Sequence, residues 1–269
     1  MRLILHLRDG VGVEEILADA IEAEKSGFDG VALSDARWSP TVLAGALSTG
    51  LSGVRLLLRC EVGAENPLYL VEEALVAENL LGGRLTLALR AASGFEERFT
   101  EAVELMSLAL RDRPFRSDGQ FWPTPAGLTA NRHNLEERVR VGPASVQERI
   151  PIWLTGERWA SLAARLGFGL ILGSHESDQP CGHLAVEIGA EELEKVVLAP
   201  DALRAFGDGS GPDSLIFSAS PDPRRGVSAA QVHSLIDLRA KMQMFQLPPG
   251  LAEHWAESDS DPRKGSERG

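Results

Sequence analysis

The sequence predicts a (β/α)8 barrel, an α/β fold, on two observations: eight short apolar runs recur along the chain, and a stretch with helical periodicity follows most of them. Strands buried on both faces read as near-continuous apolar runs. Their alternation with helices argues for a parallel sheet, and 269 residues suits one barrel domain of about 250. In such a barrel the chemistry sits where the strands end.

The first run, Arg2 to Leu7, precedes a helix from Glu14 to Ser26 that puts Ile16, Leu17, Ala20 and Ile21 on one face, with Gly27 where a left-handed cap is wanted. The second run is Gly30 to Ser34. Pro40, after Ser39, suits a first helical position, and Gly50 to Gly53 turns the chain into the third run, Val54 to Cys60. Asn66-Pro67 opens a long apolar-faced helix that continues to Leu81, and Gly82-Gly83 closes it before the fourth run, Arg84 to Arg90. From Gly94 to Leu110, residues Phe95, Phe99, Val103, Met106 and Leu110 fall at helical spacing, a stripe that reads as barrel-packing surface.

Regularity then breaks twice. Pro114 to Glu148 carries four prolines, several glycines and the basic residues Arg132, Arg138 and Arg140. This excursion before strand five is read either as an active-site cover over the strand ends or as an insertion without a role. The fifth run is Ile150 to Thr155 and the sixth Gly169 to Gly173; between the sixth and the seventh, His183 to Ile188, only His175 to Gly182 connects. That is too short for a full crossover helix, so one barrel helix is expected to be missing. The eighth run is Asp213 to Ser218, and a last helix is expected from Ala229 to Phe245. One domain is expected over residues 1–257, with the polar stretch 258–269 as a disordered tail.

Composition excludes some functions. Hydrophobic residues make up 43% of the chain, enough for a sizeable core, and the net charge of −12 argues against nucleic-acid or anionic-membrane partners, which need a basic patch. Cys60 and Cys181 are the only cysteines, without disulfide or metal-ligand spacing, so a reducing cytoplasm is the expected compartment. His6, Arg8 and Asp9 interrupt the first apolar run too soon for a signal-peptide core or a membrane span. His175 and His183 lack metal-ligand spacing, and no metal is expected.

The strand ends supply the candidates. His6 and Arg8 alternate with Leu5 and Leu7, so both can look into the barrel mouth, where His6 is either a proton donor or a structural histidine. Arg90 ends an apolar strand and needs a partner, either a ligand anion or the carboxylate of Glu61 at the end of strand three. Cys60 is either a pocket sulfur or an inert buried thiol. Ser174 and Ser218 either bind ligand or cap helices.

Several segments carry a resemblance. The string Ala20-Ile21-Glu22-Ala23-Glu24-Lys25-Ser26-Gly27-Phe28-Asp29-Gly30-Val31 resembles the "A-x-x-A-E-x-x-G-F-D" opening of the luciferase-like flavin monooxygenases. Ser48-Thr49 before Val54-Arg55-Leu56, Asn66-Pro67 at a helix start and Gly83-Arg84-Leu85-Thr86-Leu87 resemble that family's third strand, its "H-P" helix start and its "S-G-R-F/L" lead into strand four. Glu101 matches an acidic position, Ile150-Pro151-Ile152 a "P-P-I" start of strand five, and Ala199-Pro200-Asp201 a late "G-T-P-E-E" helix start. These seven elements keep the family's order over residues 20–201 and are weakest at 115–148 and 174–198.

The resemblance implies a barrel that holds reduced FMN, or a deazaflavin in some branches, at the strand ends. It also implies a separate reductase as flavin source, a small organic substrate, and a homodimer or heterodimer through the helices after strands one to three. Leu43, Leu47, Leu75 and Val76 are the apolar surplus expected at that interface. Arg90, Cys60 and Glu61 fall where the family places the flavin. Two positions depart from the pattern. Where the family has Asp-His or Glu-His after strand two, this chain reads Ser34-Asp35-Ala36, leaving Asp35 either as a base or as a helix cap. After strand five the family's phosphate-binding hydroxyls give way to Thr155-Gly156-Glu157-Arg158, where Thr155, the amides of Gly156 and Glu157, and Arg158 could still receive a phosphate. A flavin-dependent oxidoreductase and a non-catalytic partner subunit or pseudoenzyme of the same fold both follow from these residues.

Overall fold

In the computed structural model the eight apolar runs are parallel strands joined in sequence order, and the last pairs back onto the first to close a barrel. The structure describes residues 2–7, 12–34, 38–125, 137–173, 184–189, 214–218 and 235. In chain order the elements are β1 (Arg2–His6), α1 (Val13–Lys25), β2 (Gly30–Ser34), α2 (Pro40–Leu47), β3 (Arg55–Val62), α3 (Pro67–Leu80), β4 (Leu85–Ala91), α4 (Glu96–Ala109), β5 (Ile152–Thr155), a 3-10 turn (Glu157–Trp159), α5 (Ala160–Leu166), β6 (Gly169–Gly173), β7 (Leu184–Gly189) and β8 (Ser214–Ser218). β6 pairs in parallel with β7, and the connection between them, where a barrel helix is expected to be missing, lies outside the described residues. Of the expected last helix only Leu235 is described, buried in the core; the expected tail lies outside the described residues.

Two apolar layers follow from the strand period of two. Ile4, Ala32, Leu57, Ala88, Trp153, Ile171 and Ile216 fill the lumen, and the alternate residues pack outward against the helices. Trp153 needs room, which Ala32, Ala88 and Gly169 leave. A Cβ on Gly169 would stand 2.7 Å from the indole.

Local chemistry fixes the helices. Asn66 Oδ1 accepts from the Leu68 amide at 3.0 Å, and Pro67 begins α3 where an N–H would have no intrahelical acceptor. Arg84 closes the same helix: its guanidinium donates to the carbonyls of Leu81 at 2.8 Å and of Val54 and Leu51 at 3.0 Å, tying α3 to the start of β3. Beside it the fully buried Glu78 accepts from the amides of Leu85 at 3.0 Å and Gln147 at 3.1 Å. Gln147 in turn donates to the Leu85 carbonyl and accepts from Arg55, each in a bond of 2.7–2.8 Å. Burial pulls the Arg55 pKa down, Arg2 and Arg84 add to that, and Glu78 opposes it.

The excursion before β5 is tied to the helices over its described length. Phe115 pairs with Val139, Ser117 pairs with Thr124, and Arg140 binds Asp112 across its base. The Glu101 carboxylate of α4 accepts from the amides of Gln120, Phe121 and Trp122 at 2.8–2.9 Å. Phe121 also lies on the Arg98 guanidinium, whose carbon is 5.1 Å from that ring and from Phe95. The limbs therefore rise along α4 from its C-terminal end to its first turns; residues 126–136 lie outside the described residues.

The apolar surplus differs from the one expected. Leu43, Leu47 and Leu75 are buried against this chain's own barrel, because their spacing aims them inward. Val76, 49% exposed, is joined instead by Val42, Tyr69 and Leu80 at 57–64%. An open groove of about 490 Å³ runs between α2 and α3 among Val42, Gly45, Val76 and Leu80.

Two consequences can be measured. Burial raises the pKa of the Glu24 carboxylate, but hydrogen bonds from the Gly53, Ser52 and Val54 amides and the Ser52 hydroxyl outweigh it, so the net shift is downward. A carboxyl held lower in the folded state than in the unfolded one stabilises above its unfolded pKa and loses that effect as pH falls through the folded one. The melting-temperature advantage of wild type over Glu24→Gln should be full at neutral pH and close in acid; a gap independent of pH would count against it. At Gly119 a Cβ would overlap the Glu101 carboxylate, so Gly119→Ala must displace that side chain from its amides. Gly119→Ala and Glu101→Ala should each speed proteolytic cleavage within 115–125 several-fold; unchanged rates would show that the limb is held by other contacts.

Candidate functional site

Strand alternation places a polar set above the apolar lumen layer. His6 shares a face with Ile4, Ser34 with Ala32, Arg59 and Glu61 with Leu57, Arg90 with Ala88, and Thr155 with Trp153. All six lie toward the C-terminal ends of their strands, so one rim gathers an imidazole, two hydroxyls, two guanidinium groups and a carboxylate. His6 Nε2 lies 2.5 Å from Ser34 Oγ. Glu61 and Arg90 stand opposite one another in the β3–β4 register, and Arg90 Nη2 donates to Glu61 Oε1 at 2.5 Å. Their side chains are 43% and 61% exposed, so the pair sits in water at the mouth.

The barrel does not bring every candidate to this rim. Cys60 lies between Arg59 and Glu61 in sequence and therefore on the opposite face, buried among the residues that pack β3 against the helices. This placement favours the buried thiol over the pocket sulfur. Gly156 has φ +102°, a conformation that favours glycine, and its amide donates to the Ile171 carbonyl at 2.9 Å. That N–H is spent on holding β5 to β6, which corrects its assignment to a phosphate. Arg158 is exposed and lies with its guanidinium carbon 5.0 Å from the Trp159 ring, which in turn packs at 4.4 Å on Phe99. The segment after β5 is thus a packing corner. Asp35 and Ser174 fall outside the described residues.

Sequence reasoning passed over two rim residues. Ser34 and Arg59 share the lumen parity of His6 and Glu61, and counting by twos from the apolar positions would have found both. Among the described residues no group of three or more His, Cys, Asp or Glu could hold a metal ion, and no helix is long and apolar enough to cross a membrane.

Comparison with known proteins bears on what such a rim serves. Among solved structures, the chain is similar to the monooxygenase RslO1 from Streptomyces bottropensis, with 17% identity, 76% of this chain and 78% of that one covered, and a TM-score of 0.57. It is similar to the oxygenating constituent of 3,6-diketocamphane monooxygenase from Pseudomonas putida, solved in complex with FMN, with 16% identity, 74% and 71% covered, and a TM-score of 0.53. An F420-dependent secondary alcohol dehydrogenase, solved with an F420–acetone adduct, is 14% identical, with 88% and 98% covered and a TM-score of 0.60. At these identities the likeness establishes the fold alone. No curated protein matches the chain in sequence. The model of the luciferase-like monooxygenases matches residues 5–192, well over half of the 269, and the chain belongs to that family.

Proposed function

We propose that the protein is a flavin-dependent oxidoreductase of the monooxygenase type, which oxidises a small organic substrate at the C-terminal mouth of its barrel with reduced flavin supplied by a separate reductase. One observation carries this reading: a polar rim with an exposed Arg90–Glu61 pair stands over a packed apolar floor. The packed floor gives a flat ring an apolar surface to lie on, and Arg90 offers the charge-assisted donor that an anionic cofactor needs. The group is FMN, with a deazaflavin as the alternative; bound and reduced, it would supply the electron pair. Arg90 would hold the anionic end, Glu61 would pair with Arg90 until the ligand replaces it, and Thr155 would add a hydroxyl from β5. His6 would handle the proton, and Asp35 and Ser174, after strands two and six, would complete the site.

The second reading, a non-catalytic partner subunit, has an observation of its own. The amide of Gly156 is engaged within the chain, so the corner after β5 offers a phosphate one backbone donor fewer than its sequence suggests. Flavin titration separates the two. Wild type should bind FMN or a deazaflavin at micromolar concentration, and Arg90→Ala should weaken binding tenfold or more, since a lost charge-assisted hydrogen bond costs about 1.5–3 kcal/mol. The ligand-free protein should lose less than about 1 kcal/mol in the same variant, and its coupling to Glu61→Gln should be equally small, because an exposed ion pair is screened. Absence of binding by either flavin would favour the partner subunit.

We also propose that the protein dimerises through the α2–α3 groove, as a homodimer when expressed alone. Exposed Val42, Val76 and Leu80 on adjacent helices support this. Sedimentation should show a dimer at micromolar concentration, and Val76→Glu with Leu80→Glu should give a folded monomer. A monomeric wild type would rule the interface out.

A further inference from the structure

His6 and Ser34 end adjacent strands on the lumen face, both half-buried, with Nε2 and Oγ 2.5 Å apart. Strand pairing does not need this bond. The β1–β2 ladder runs through Ile4, Leu5 and His6 opposite Gly30, Val31 and Ala32, and the Leu7 amide extends it to the Ala32 carbonyl at 2.9 Å. Ala32 lies beneath Ser34 on the same face and presents only a methyl group to the lumen.

The bond has two directions, set by the imidazole. Neutral at Nε2, the ring accepts the Ser34 O–H; protonated, it donates to Oγ and leaves the hydroxyl hydrogen to point elsewhere. We propose that His6 and Ser34 form a proton relay in which Ser34 touches the ligand and His6 is the reservoir behind it. The relay rests on the reading that a reduced flavin works at this mouth. In the forward step the Ser34 O–H proton passes to a ligand oxygen while the His6 Nε2–H proton passes to Oγ. One O–H and one N–H bond break, two O–H bonds form, imidazolium becomes imidazole, and no electron moves.

The first test is spectroscopic. Long-range proton–nitrogen correlation spectra of the histidine rings, with His6 assigned among six histidines by its loss in His6→Gln, should show a shifted Nε2 signal that Ser34→Ala displaces and Ser34→Thr restores. The second uses reduced FMN and dioxygen as probes, in the reaction FMNH− + O2 + H+ → FMN + H2O2, which consumes one proton. Ser34→Ala and His6→Gln should each slow reoxidation of the bound flavin by about tenfold or more, while Ser34→Thr stays near wild type. A His6 signal indifferent to Ser34→Ala overturns the pair. A displaced signal with unchanged reoxidation overturns the relay and leaves the flavin reading standing. Failure of reduced FMN to bind wild type, with the His6 signal still dependent on Ser34, overturns the FMN reading and the relay with it.

Discussion

The hydrogen-bonded seam between β8 and β1 is the constraint on which the rest depends. It sets Ile4 opposite Ile216 and His6 opposite Ser218, and once the sheet is closed every strand must divide its side chains between a lumen and a helix-facing layer. The lumen has a fixed volume, so the indole of Trp153 is accommodated by Ala32, Ala88 and the absent side chain of Gly169. That packed floor makes the barrel a cup. Whatever stands two residues beyond it, from His6 round to Thr155, becomes its rim.

The two ends of the barrel use charge differently. At the lower end Glu78 is fully buried and spends its carboxylate on the Leu85 and Gln147 amides, while Arg84 caps three carbonyls. Removing either would strand buried polar groups, so this end carries stability. At the upper end the pair of Arg90 and Glu61 is largely in water and adds little to folding. Polar groups that the fold does not consume are the ones left for a ligand.

How much was legible follows from which interactions are local. Parallel strands buried on both faces announce themselves as apolar runs, so all eight appear within a residue or two of their places. Parity along one strand is also local, and it carries His6, Glu61 and Arg90 to the lumen; taking the neighbours Cys60 and Glu61 together instead of alternating them is what misplaced Cys60. The Gly156 amide was illegible for a different reason. Its partner, the Ile171 carbonyl, lies on another strand, and no feature of the segment from Thr155 to Arg158 encodes that register. Glu101 stood out as an acidic position, but the three amides it holds are about twenty residues further along the chain and depend on Gly119 lacking a side chain. Leu43, Leu47 and Leu75 looked surplus only because a helix's inward arc cannot be measured until its barrel is built.

These placements relocate the proposed anion site. With the Gly156 N–H engaged, the corner after β5 has one donor fewer for a flavin phosphate, and among the described rim residues Arg90 is an openly presented cation, 61% exposed. Its bond to Glu61 does not prevent this. An exposed carboxylate contributes about 1 kcal/mol or less to such a pair, whereas a phosphate brings more charge and more acceptor oxygens to the same planar donor. Exchange of one anion for the other therefore costs little on the protein side, and the released Glu61 stays solvated at the rim. Under the proposed function the phosphate would then be met by a guanidinium poised by β3 and β4, on the same barrel.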